Sequence, residues 1–123
     1  MAINTVLVQA LAELAYSIAL ADGALEQEEK DAFNRTIEAE LGKSAWLAKN
    51  RFSILDERVS PNIEQAYKDA MFAIKNNQSD FDEGLKRKFI KVIEKIADSV
   101  DGLRSYEREL INRFRKDIEL IKK

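Results

Sequence analysis

The chain reads as an all-α, compact single-domain bundle of five to seven helices, and three observations predict it. Glycine and proline number four and one in 123 residues, far below average usage. Apolar residues recur at spacings of three and four along most of the chain, the stripe of an amphipathic helix. No stretch shows the two-residue alternation of a half-buried strand. Leu, Ile, Val and Phe together number 35, enough to build a core without metal or disulfide.

The first helix is expected at about residues 3–21, carrying Ile3, Val6, Leu7, Leu11, Leu14 and Ile18 on one side. Val8, Ala12, Ala15 and Ala19 form a second, small-residue face, so this helix is expected to lie between neighbours at the centre of the core. Asp22-Gly23 stops it. The second helix runs from about Glu26 to Leu41, with Glu26, Glu28, Glu29 and Asp31 near the positive end of its dipole. Phe33, Ile37 and Leu41 face inward, and Gly42 follows as a left-handed stop.

Ser44 is then read as the cap of a third helix carrying Trp46, Leu47, Phe52 and Leu55 at irregular spacing. Ser60-Pro61 reads as an N-cap followed by proline at the first helical position of a fourth. Its stripe is Ile63, Ala66, Tyr67, Ala70, Met71 and Ile74. After the polar break at 76–79, Asp80 with Glu83 resembles a capping box for a fifth helix with Leu85, Phe89, Val92, Ile93, Ile96 and Ala97 inward. Asp101-Gly102 ends it. Ser105 opens the last helix, whose stripe is Leu110, Ile111, Phe114, Ile118 and Ile121.

Composition excludes much chemistry. With no Cys and no His, disulfide frameworks, thiol catalysis, zinc ribbons, Ser-His triads and most transition-metal sites are ruled out. Carboxylates such as Asp22 and Glu28 could pair as acid and base, but no nucleophile motif or cofactor loop accompanies them, and a non-enzyme is expected. The chain lacks a leader-like segment and an apolar span of membrane length. A cytoplasmic protein with no membrane insertion is therefore expected.

Two segments echo each other, Ala19-Leu20-Ala21-Asp22-Gly23-Ala24-Leu25-Glu26-Gln27-Glu28-Glu29 and Ala97-Asp98-Ser99-Val100-Asp101-Gly102-Leu103-Arg104-Ser105-Tyr106-Glu107. Each is an apolar helix ending in Asp-Gly with an acidic residue six positions after the Asp. The first, with Ala-Asp-Gly followed by Glu-Glu, resembles the signature of the tellurite-resistance TerB-like family. That resemblance implies a compact helical fold of two pseudo-symmetric helix-turn-helix units. It also implies a stress-associated, bacterial role without an established reaction, and metal binding through the acidic motif. In the second segment Val100 replaces the Ala, and no Glu pairs with Glu107 as Glu29 pairs with Glu28. Aligning the Asp-Gly pairs needs an offset of 79, whereas aligning the apolar stripes needs 77.

Two readings of these corners follow. Asp22 falls at the end of a helix, where the dipole disfavours a negative charge. A divalent cation, Ca²⁺ or Mg²⁺ given an oxygen-only donor set, would compensate it. Its ligands would be Asp22 with Glu28 or Glu29, and Asp101 with Glu107 if the corners converge. In the other reading these residues only cap helices, and the chain is a metal-free interaction or scaffold domain. An EF-hand is excluded, because neither corner combines Asp or Asn at alternate positions before the glycine with the closing Glu of that loop.

Charge is unevenly spread: residues 1–60 hold 6 basic and 10 acidic side chains, and residues 61–123 hold 14 and 12. Lys86, Arg87, Lys88, Lys91 and Lys95 with Arg113, Arg115 and Lys116 could form a basic face. Interleaved acids and a pI near 5.3 argue for a solvated, ion-paired surface rather than nucleic-acid binding. The asymmetry suits docking on a charged protein partner or head-to-tail contact in a homodimer. Trp46 is read as a core residue, with a partner-binding anchor as the alternative.

Overall fold

The computed structural model describes residues 4–21, 27–59, 62–98 and 105–121, the side chains of 105 and 106 aside. Six α-helices and three short turns account for almost all of them, and no strand occurs among them. The helices are α1 (Thr5–Leu20), α2 (Gln27–Leu41), α3 (Ala45–Ile54), α4 (Ile63–Asn76), α5 (Glu83–Ala97) and α6 (Ser105–Glu119). A helical bundle is the fold that the spacing predicts.

α1 is buried on nearly every side from Leu7 to Ala19, including Glu13 and Ser17. Its second, small-residue face is the cause: Val8, Ala12, Ala15 and Ala19 are all buried, as the second apolar face predicts. α1 packs most extensively on α4, then on α3 and α5, while α2 lies chiefly on α5. Ser17, inaccessible in the last turn of α1, donates its hydroxyl to the Leu14 carbonyl at 2.7 Å, so its burial leaves no orphaned donor.

Several helix starts differ from expectation. Ser60 and Pro61 lie outside the described residues, and the cap of α4 is Asn62, whose Oδ1 accepts from the Gln65 N–H at 2.7 Å. α5 is capped by Asp82, accepting from Leu85 N–H at 2.9 Å, and not by Asp80. Asp80 closes a 3₁₀ turn, Gln78–Asp80, and accepts from Asn4 at 2.8 Å. Phe81 decides between the two acids: it is buried edge-on against Phe89, with ring centroids 5.1 Å apart, which leaves Asp82 at the helix mouth.

Ser44 makes no capping bond and belongs to a 3₁₀ turn, Gly42–Ser44. Gly42 is left-handed with φ +52°, the stop predicted for α2. α3 continues into a π-helical turn, Leu55–Val59, and buries Ala45, Ala48, Phe52 and Leu55. Trp46 sits one step off that stripe and is 65 % exposed, so the core assignment for the only tryptophan is corrected. Phe52 fills the core in its stead, stacked on Phe33 at 4.3 Å and edge-on to Tyr16 at 5.7 Å.

The basic side chains serve mainly as ties between helices. Lys91 pairs with Glu40 at 2.9 Å and Lys88 donates to the Glu40 carbonyl at 2.8 Å, clamping α5 onto the negative end of α2. The Lys91 ammonium holds the Glu40 carboxyl below its usual range. Arg115 pairs with Glu94, and Lys86 donates to the Ile121 carbonyl at 3.0 Å.

Candidate functional site

The acidic corners are described on their helical side. Glu29 is the third residue of α2 and Glu107 the third residue of α6, and both are 0 % exposed. A carboxylate at that position faces the unpaired N–H groups and positive dipole end of its own helix, which lowers the cost of burying it. Neither glutamate is without a partner. Glu28, one residue earlier, is exposed. Asp22, Gly23, Glu26, Asp101 and Gly102 lie outside the described residues.

The structure changes the register of the echo. Counting from the Asp-Gly pairs matches Glu107 with Glu28, yet by helix position and burial Glu107 matches Glu29. Buried residues then follow at the third, fourth and seventh positions in both helices: Ala32, Phe33 and Thr36 after Glu29, and Leu110, Ile111 and Phe114 after Glu107. Spacing from Glu29 to Ala32 and Phe33 was the signal that separates it from Glu28.

The helices that lead into the corners end beside each other's successors. Ala21, the last described residue before Asp22, lines a cavity of about 290 Å³ with Glu109 and Leu110 of α6. Asp98, three residues before Asp101, lines one of about 350 Å³ with Ala32, Arg35 and Thr36 of α2. The end of α1 therefore stands against the start of α6, and the end of α5 against α2.

Two further charged constellations escape the sequence reading. Glu13, at the middle of α1, is buried and receives Arg51 Nη2 of α3 at 3.3 Å. Burial pushes its carboxyl above the ordinary range, and Arg51 opposes that only in part. Between α4 and α6, Arg113 holds Glu64 bidentately at 2.7 and 2.8 Å and lies 4.2 Å above the Tyr67 ring. The Tyr67 hydroxyl donates to Asp117. Burial, then that carboxylate, pushes the Tyr67 hydroxyl far above its usual pKa. A lone Glu amid alanines and a Tyr 50 residues from its acid carry no local pattern that would reveal either pair.

Among the described residues, no group of three or more acidic side chains stands close enough to hold an ion. None of their helices is long and apolar enough to cross a membrane. No family model, curated protein or solved structure matches the chain.

Proposed function

We propose that this chain is a non-catalytic, TerB-like helical module of a stress or tellurite-resistance system, acting through contact with another protein and holding a divalent cation at its Asp-Gly corners. The crossing of the corner-flanking helices is the observation that supports it: α1 ends against α6, α5 ends against α2, and each receiving helix buries a glutamate at its third residue. In this reading Glu29 and Glu107 supply hard oxygen donors from the helix starts. Asp22 and Asp101 complete the ligand set, with Ca²⁺ or Mg²⁺ as the suitable ions.

A second reading is favoured by the same two glutamates. At the third helical position, with partners already in place, they are capping groups of a metal-free interaction domain. Isothermal titration with Ca²⁺ and Mg²⁺, run on the parent and on Asp22→Asn, separates the two. The cation reading expects saturable heat from the parent and affinity at least about tenfold weaker from the variant. No heat, or equal heat from both proteins, leaves the capping reading.

A further inference from the structure

The two most exposed large apolar side chains among the described residues are Phe72, at 69 %, and Leu120, at 82 %. Phe72 lies on α4 and Leu120 just past the end of α6, yet both line one open groove of about 510 Å³ between these two helices. Its floor is Tyr67, Met71 and Ile121, all buried. Along α4 the lining residues fall at 67, 68, 71, 72 and 75, one face of a helix. The stretch rises roughly 12 Å, enough to seat between two and three turns of a helix laid alongside. The wall is braced, because Tyr67, Arg113, Asp117 and Glu64 hold one another across α4 and α6.

Charge selects the occupant. The lining carries Lys68, Lys75 and Arg113 against a single acid, Asp117. Asp117 is already taken by the Tyr67 hydroxyl and Arg113, and Arg113 by Glu64. Among the described residues Lys68 and Lys75 enter no ion pair. They stand two helical turns apart on the same side of α4, a spacing that a helix with carboxylates at i and i+7 reproduces.

We propose that the α4–α6 groove docks an acidic amphipathic helix of a partner protein. Apolar side chains of that helix cover Phe72, Met71 and Leu120, and its carboxylates meet Lys68 and Lys75. This role rests on the protein-contact part of the function proposed above and is independent of its cation.

The test uses fluorescence anisotropy with a fluorescein-labelled peptide of about 14 residues, four turns at helical rise, with Leu along one face and Glu elsewhere. A counterpart has every Glu replaced by Lys. Both are titrated with the full chain in chelator, and amide NMR maps the contact. The acidic peptide is expected to bind at least about tenfold tighter than the basic one and to shift amides of α4 and α6. Phe72→Ala with Leu120→Ala should weaken it about tenfold or more, and Lys68→Glu with Lys75→Glu should invert the preference. Each substitution is at an exposed position, and circular dichroism checks that the fold is kept.

Equal affinity for both peptides, or indifference to the Phe72 and Leu120 changes, overturns the proposal. So does a Phe72-dependent dimer in sedimentation, which would make a second copy the occupant. Saturation by decanoate with no response to the acidic peptide would likewise assign the groove to a small amphiphile. Shifts centred on α3 around Trp46 would overturn the groove while keeping the protein-contact function. Binding retained by Asp22→Asn separates the groove from the cation.

Discussion

α2 and α6 begin alike and end differently. Each has 15 residues, with a glutamate at the third position that water does not reach. Further on, α2 keeps its stripe on α5 through Ile37 and Leu41 and ends under the lysines of α5. α6 carries its buried stripe on through Ile118, continued past its end by Ile121, while Arg113 and Asp117 on its other side and Leu120 just beyond it line the groove beside α4. A helix start is governed by local chemistry, its N–H groups and dipole, so two starts can converge on one solution. A helix end is governed by whichever neighbour it meets.

The comparison can be broken first at the core. Phe33 and Phe114 are both inaccessible, one in each helix, and Phe33→Ala and Phe114→Ala should each cost about 3–5 kcal/mol in urea denaturation. A loss confined to one of them would mean that only one of these helices is integral to the core. Next come the helix starts themselves. Glu29→Gln and Glu107→Gln keep the shape and remove the charge, and each should cost roughly 1–3 kcal/mol. Similar losses sustain the equivalence of the two starts, whereas a loss in one and none in the other ends it.

The smallest effect concerns a glutamate buried in a different manner. Glu13 has a guanidinium for company and no helix start, and its raised pKa means that the folded chain holds its proton more tightly than the unfolded chain does. Its contribution to stability is fully present below the ordinary carboxyl value of 4.5 and is lost as pH rises through the raised folded value. Denaturation of the parent and of Glu13→Gln at a series of pH values should therefore show the difference moving in favour of the variant as pH climbs above 4.5. A difference that stays flat, or moves the other way, would mean that Arg51 compensates the buried charge in full.

Much of this architecture follows from spacing, and the departures have local causes. The central place of α1 is readable from its second, alanine-lined face. The caps of α4 and α5 are displaced by two residues because Ser60-Pro61 and Asp80-x-x-Glu83 compete with Asn62 and Asp82, and side-chain volume at Phe81 settles the second case. Trp46 misleads by size: the stripe of α3 runs through the small residues Ala45 and Ala48 to Phe52 and Leu55, one step away from it. Of the candidate ligands, Glu29 and Glu107 gain a shared burial that the Asp-Gly offset obscures. The groove has no trace in the linear pattern, since Phe72 and Leu120 meet only when α4 and α6 pack.

A titration of the ¹⁵N-labelled chain with Ca²⁺, following the backbone amides of Glu29 and Glu107, tests the corner site most directly. Both amides should shift together with one midpoint in the parent and stay still in Asp22→Asn. Two glutamates that never move, or that respond equally without the Asp22 carboxylate, would contradict a cation held between the two starts.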